Sequence, residues 1–212
     1  MKKYAFIWDL DGTLLNSYGE IVASIRLAFE AFGVEMDEKD ILDFTINKSG
    51  RDLLEKVSKE NNISFDHIHE AYRRFHHEKS GEVMAAEHAE QILNYMTSRG
   101  IPCFVITHRG SSTLPVLKRL RLYDYFIEII TKEAGFARKP APDAAKYLIE
   151  KYSLDPECTY FVGDRQIDMQ SAKNAGVGKI LYKPSYSIAQ PSGIEDFVIS
   201  DFMEIPGLII KD

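Results

Sequence analysis

Short apolar runs alternate with helix-period stripes along most of this chain, and that alternation constrains its fold more than any other feature. Tyr4 to Trp8, Pro102 to Ile106, Phe126 to Ile130, Thr159 to Val162 and Lys179 to Tyr182 each read as a buried strand, with Phe197 to Ile199 a weaker one. Between them, Ile92, Leu93 and Met96 form an apolar stripe that stops before Gly100. Leu114, Leu117 and Leu120 form another after Ser111-Ser112-Thr113, which offers N-cap residues, and a third runs from Pro142 through Ala145 and Leu148 to Tyr152. Strands alternating with helices predict an α/β fold, a Rossmann-like parallel sheet covered on both faces.

The rhythm breaks once. From Ser17 to Met84 the signals are helical: Ile21, Ile25, Ala28, Phe29 and Phe32 share one face, Leu53, Leu54 and Val57 a second, and Ile68, Tyr72 and Phe75 a third. The expectation is a core domain of residues 1–16 and 85–212 with an all-helical cap domain, residues 17–84, inserted after the first strand. A chain of 212 residues accommodates both. Hydrophobic residues at 45% and charged residues at 27% suit a packed globular protein, and a net charge of −6 without a basic stripe argues against nucleic acid as a partner. Cys103 and Cys158 sit in or beside apolar runs and read as buried free thiols. Met1-Lys2-Lys3-Tyr4 leads into a run that is too short and too soon charged for a signal peptide or membrane span, so a cytoplasmic location without membrane contact is expected.

Ligands of open parallel sheets bind beyond the carboxyl ends of the strands, and the residues capable of chemistry collect at those ends. Asp9-Leu10-Asp11-Gly12-Thr13 puts two carboxylates close together after the first strand, followed by a glycine that permits a sharp turn. Such a pair is costly to bury and favours a hard cation, Mg²⁺ being the natural candidate; alone, the segment also reads as an Asp-Gly turn. Thr107-His108-Arg109-Gly110 supplies a hydroxyl and backbone N–H groups suited to phosphate oxygens, although a threonine before a helix is often only a cap. Lys139-Pro140 fixes the direction of a cation that could offset phosphate or a carboxylate. Gly163-Asp164-Arg165-Gln166-Ile167-Asp168 adds acids, Asp164 and Asp168, that flank a turn and could complete a metal site shared with Asp9 and Asp11, although a capping role competes for Asp168.

Together these four segments, in this order, resemble the motifs of the haloacid dehalogenase superfamily, and the resemblance runs from about Lys3 to Tyr182. It implies a phosphohydrolase with a helical cap, similar to phosphoglycolate phosphatases and β-phosphoglucomutases. Asp9 would be the nucleophile that forms an aspartyl-phosphate, and Asp11 the acid and base that serves the leaving oxygen and then water. Mg²⁺ would be held by the carboxylates of Asp9 and Asp164 with the backbone carbonyl of Asp11, while Asp168 would orient Lys139 or a metal-bound water. Thr107 and Lys139 would bind the transferring phosphoryl group, and His108 and Arg109 beside them would contact phosphate or substrate.

An acid at Asp11 disfavours carbon–halogen substrates, because true dehalogenases of the superfamily lack one there. The expected activity is Mg²⁺-dependent hydrolysis of a small-molecule phosphate ester, phosphoglycolate or a sugar phosphate, by a monomer or homodimer; a phosphate-moving mutase is the alternative. Asn47-Lys48-Ser49-Gly50-Arg51-Asp52-Leu53 resembles the substrate-facing loop of such caps, although relatives often carry Gly-x-Pro where this chain has Asn47-Lys48-Ser49. Lys48 and Arg51 are therefore candidate substrate contacts. Arg73, Arg74, His76 and His77 read as a solvated polar face. A phosphoacceptor signalling module shares the Asp, Thr and Lys pattern, but is about half this length and lacks a helical insertion after its first strand.

Overall fold

A computed structural model describes residues 3–185 and 187–210. The Met1-Lys2 pair that opens the leader argument, and the last two residues of the 85–212 range, lie outside the described residues. The chain divides into two compact units, Met1–Leu15 with Ala85–Asp212, and Asn16–Met84.

The first unit is built on a six-stranded sheet of β1 (Ala5–Trp8), β4 (Cys103–Ile106), β5 (Glu128–Ile130), β6 (Thr159–Gly163), β7 (Gly178–Tyr182) and β8 (Phe197–Ile199). The strands lie in the order β5-β4-β1-β6-β7-β8, and each neighbouring pair is parallel. Two short strands, β2 (Leu15–Asn16) and β3 (Met84–Ala85), form a separate two-stranded sheet where the chain passes between the units. Pro102 has no N–H to give to a ladder, so β4 begins at Cys103, while the Pro102 carbonyl still accepts from Phe6 N at 3.0 Å.

Parallel sheets bury both faces, and β1 shows how. Ala5 and Ile7 join Phe104, Ile106, Phe161 and Leu148 in one apolar cluster. The alternate residues turn to the other face, where Phe6 stacks on Tyr160 and Trp8 meets Phe202 edge-on with ring centroids 5.5 Å apart. Each fully buried side chain of this size contributes about 1.5–3 kcal/mol to stability.

The sheet is accompanied by α5 (Ala89–Ser98), α6 (Thr113–Arg119), α7 (Asp143–Tyr152), α8 (Gln166–Ala175) and α9 (Ile205–Ile209). Ile92, Leu93 and Met96 are the buried stripe of α5, as their spacing predicts. In α6 the buried face is Thr113, Val116 and Leu117, and Leu114 is exposed, which corrects the Leu114-Leu117-Leu120 stripe. Ser112 stands at the α6 N-cap without a side-chain capping bond; its hydroxyl serves Arg109.

The second unit holds α1 (Tyr18–Glu30), α2 (Glu38–Asn47), α3 (Gly50–Glu60) and α4 (Phe65–Lys79) around its own core of Ile21, Ile25, Phe29, Ile41, Leu53, Leu54, Val57 and Ile68. Helix α1 ends at Glu30, so Phe32 falls beyond it and lies exposed rather than on the apolar face. Asp37 caps α2 through Lys39 N, and Ser49 caps α3 through Asp52 N.

Candidate active site

The central strands of the sheet bring three candidate residues together. Asp9 follows β1, with its N–H on the Val162 carbonyl at 2.8 Å; Thr107 follows β4, with its N–H on the Ile130 carbonyl at 2.9 Å; Asp164 follows β6. Because β4, β1 and β6 are neighbours, their carboxyl ends converge although the residues are far apart in sequence. After Asp11 the backbone turns sharply at Gly12, whose φ of +81° is one that side chains resist. The turn carries Thr13 back, and its buried hydroxyl donates to Asp164 Oδ1 at 3.0 Å.

Lys139 enters from the loop after β5 and is buried. Its ammonium lies 2.5 Å from Asp9 Oδ1 and 2.6 Å from Asp168 Oδ1, with the Ile106 carbonyl at 3.3 Å. Pro140 follows through a cis peptide bond. The Lys139 N–H donates to His108 Nε2 at 3.0 Å, so the motif after β4 supports the lysine loop. Burial, with the cations Lys139 and Arg138 nearby, pushes His108 down to about 2 and keeps the ring neutral. A neutral imidazole accepts at one nitrogen only, so the Lys139 N–H competes with Arg138, whose Nη2 is 3.0 Å from Nδ1.

Oxygens of Asp9, Asp164 and Asp168 all lie within 4.8 Å of one another, and all three residues are buried. Burial raises Asp9 to about 7; Lys139 opposes that rise, and Asp168 and Asp164 add to it. Burial alone would depress Lys139, but Asp168 and Asp9 outweigh it and hold the ammonium above its usual range. Two of these three carboxylates, Asp9 and Asp168, share the Lys139 ammonium in direct contact, and Asp9 Oδ2 is buried without a hydrogen-bond partner among the described residues. A hard divalent cation fits this donor set. Asp168 is engaged at both oxygens, with Oδ1 on Lys139 and Oδ2 accepting from Arg165 N at 3.1 Å, whereas Asp9 keeps Oδ2 for a cation.

Asp11 stands apart from these acids. Its carboxylate is held by Arg109, with Nε 3.0 Å from Oδ1 and 3.2 Å from Oδ2, and Nη2 2.8 Å from Oδ1. At a metal this leaves Asp11 its backbone carbonyl, the ligand assigned to it by the resemblance. Thr107 is buried, and its Oγ1 accepts from Arg109 N at 3.0 Å.

The second unit carries the remaining candidates. Lys48 is exposed at the C-cap of α2. Arg51 is exposed, paired with Glu55 at 2.9 Å and placed over the Phe65 ring at 4.8 Å. Arg73, Arg74 and His77 are exposed, whereas His76 lies 3.4 Å from the buried carboxylate of Glu20 and leaves the solvated face expected for it. Thr13, Ser112, Arg138 and Arg165 each touch a site residue and received no role from the sequence reading. Thr13 and Arg165 fall within the strand-end segments, but nothing in the sequence marks the contacts they make.

The family description Haloacid dehalogenase-like hydrolase matches residues 6–181. A phosphoglycolate phosphatase of Vibrio vulnificus strain YJ016 is 25% identical over 215 residues, covering 96% of this chain and 94% of its own. Pyrophosphatase PpaX of Bacillus mycoides strain KBAB4 is 25% identical over 210 residues, covering 92% and 96%. Among solved structures, a predicted phosphoglycolate phosphatase from Haemophilus somnus 129PT superposes with a TM-score of 0.84 at 22% identity, covering 98% of each chain, which is a likeness of fold. No helix among the described residues is long and apolar enough to cross a membrane.

Proposed function

The chain belongs to the haloacid dehalogenase-like hydrolase family and is a phosphohydrolase, and from that premise we propose that it hydrolyses a small phosphate monoester through an aspartyl-phosphate on Asp9, with Mg²⁺ as its metal. The observation that carries this reading is the Lys139 ammonium seated between Asp9 and Asp168, with Asp164 completing a buried acidic group.

An oxygen of Asp9 attacks phosphorus in line. The bond to the leaving oxygen breaks as that oxygen takes a proton from Asp11, and Asp9 becomes an acyl phosphate. Water, giving its proton to Asp11, then attacks phosphorus and releases phosphate and the Asp9 carboxylate. Lys139 and the Thr107 hydroxyl, whose oxygen is already oriented by Arg109 N, bind phosphoryl oxygens. Asp168 holds Lys139 in place. Asp9, Asp164 and the Asp11 carbonyl would hold Mg²⁺, which when bound would supply charge neutralisation for the phosphoryl group. Phosphoglycolate is the first candidate substrate, followed by sugar phosphates, with Lys48 and Arg51 as contacts from the cap.

Release of phosphate from a panel of monoesters, measured with Mg²⁺ and with excess chelator, tests the reaction and its metal. Acid quench during turnover, followed by mass spectrometry, should find phosphate on Asp9, and Asp9→Asn should form none. Turnover in excess chelator would exclude the metal, and single-turnover ¹⁸O transfer from water into phosphate with no adduct on Asp9 would replace the covalent route by direct attack of water.

A further inference from the structure

Arg109 orients the Thr107 hydroxyl through its N–H, but its side chain takes no part in the phosphoryl contacts described above and is nevertheless firmly held. Its side chain is fully buried. Nε and Nη2 converge on Asp11 Oδ1 at 3.0 and 2.8 Å, Nε lies a longer 3.2 Å from Oδ2, and Nη1 donates to Ser112 Oγ at 3.2 Å. Its backbone is fixed as well, since its N–H donates to Thr107 Oγ1.

We propose that Arg109 is a positioning residue for Asp11: with Oδ1 held by Nε and Nη2, the guanidinium sets the orientation from which the Asp11 carboxyl group, carrying its proton on the more weakly held Oδ2, serves the leaving-group oxygen. A planar guanidinium binding through two nitrogens fixes the plane of a carboxylate, which a point charge or a neutral amide does not. Asp11 is about one-fifth exposed and would otherwise sample several rotamers. The same residue orients Thr107 through its backbone N–H, which no side-chain substitution removes. Changing the Arg109 side chain therefore separates the two tasks: phosphoryl binding persists, and leaving-group assistance is lost.

This inference rests on Asp11 acting as the acid. The test is release of the leaving group in single turnovers, comparing an alkyl phosphate, which needs protonation, with 4-nitrophenyl phosphate, which needs little. Asp11→Asn should slow the alkyl ester by about 10²–10⁴-fold, the usual range for general acid catalysis, and the aryl ester far less. Arg109→Gln should show the same selective pattern, with KM for the aryl ester within about threefold of wild type, since the phosphate-binding backbone is kept; loss of a positioned contact of this kind costs about 10²-fold. Arg109→Lys should recover part of the alkyl rate, and Ser112→Ala should show a smaller loss of the same selectivity. In an Asp11→Asn background, Arg109→Gln should add nothing.

Equal losses on both esters, or losses that multiply in the double variant, would overturn the positioning role and leave Arg109 as a phosphate ligand or a structural residue. If Arg109→Gln does not fold, Arg109→Lys and Ser112→Ala carry the test, and uniform rates across leaving groups in both overturn it. An Asp11→Asn variant without leaving-group selectivity would instead remove the acid role on which the inference rests.

Discussion

Gly163 and Asp168 approach so closely that a Cβ on Gly163 would fall 2.4 Å from the Asp168 Cβ and 2.7 Å from its Oδ2. The glycine at the end of β6 is needed for space at Asp168, which in turn holds Lys139.

Gly163→Ala should therefore damage the site without removing any charge from it. Overpacking of this kind costs roughly 1–3 kcal/mol, and Asp168 must shift, taking Lys139 with it. Gly178→Ala is the control, because a Cβ there would meet the Tyr160 ring at 2.3 Å, away from the acids. Both variants should lower Tm by a similar amount, but only Gly163→Ala should lose phosphatase activity at a temperature where both are folded. Equal activity in the two would show that Asp168 can move without consequence.

Thr13 should tune whatever cation Asp164 binds. Its hydroxyl donates to Asp164 Oδ1 from a fully buried position, so Thr13→Val keeps the shape and removes the bond. Partners behind a metal ligand typically affect affinity by about 10–100-fold. The half-saturating Mg²⁺ concentration for activity should rise by about tenfold or more, with turnover at saturating Mg²⁺ far less affected. An unchanged Mg²⁺ requirement would place Asp164 outside the metal's ligands.

These groups differ in how far the sequence reveals them. Buried parallel strands announce themselves as apolar runs, and the strand-end residues Asp9, Thr107 and Asp164 follow from those runs directly. Helix faces were less legible: Leu114 and Phe32 fit an apolar period on paper, but Leu114 lies off the buried face of a short helix and Phe32 beyond the end of α1. Long-range polar pairs were not legible. Arg109 and Asp11 are 98 residues apart, and Glu20 and His76 belong to different helices, so nothing local marks either pair. Motif order identifies which residues gather, while the partner of each charge is decided by packing.

The resemblance makes Lys48 and Arg51 candidate substrate contacts, and their environments within the second unit differ. Arg51 already pairs with Glu55 and covers Phe65, whereas Lys48 is exposed at a helix C-cap. Lys48→Ala and Arg51→Ala should each raise KM for anionic physiological esters by severalfold, and leave 4-nitrophenyl phosphate within about twofold. Loss of contacts to a solvated charge is worth about 0.2–1 kcal/mol. A fall in Tm for Arg51→Ala with unchanged ester selectivity would assign Arg51 to α3 and Phe65 instead.

The last prediction concerns pH. Without metal, Asp9 is held at about 7, against an ordinary 3.8. Mg²⁺ requires the ionised carboxylate, so below pH 7 binding must expel a proton, and apparent affinity should fall by about tenfold per pH unit; above 7 it should level off. Trp8 is the only tryptophan and precedes Asp9 directly, so its fluorescence is a convenient reporter for the titration. Stability follows the same proton. Asp9 is raised in the folded state, so its stabilising contribution is complete below about pH 4 and is lost as pH rises through 7. His108 has the opposite sign: it is lowered from 6.5 to about 2, so its contribution is present above 6.5 and is lost as pH falls toward 2. Between pH 4 and 6.5 the two oppose each other, and from 6.5 to 8 only Asp9 acts. In chelator, the Tm of wild-type protein should therefore drop between pH 6.5 and 8, while that of Asp9→Asn, which has no proton to lose there, stays level; saturating Mg²⁺ should remove the drop. Parallel Tm profiles for wild type and Asp9→Asn would show that Asp9 is already ionised at pH 6.5, balanced by Lys139 and Arg165.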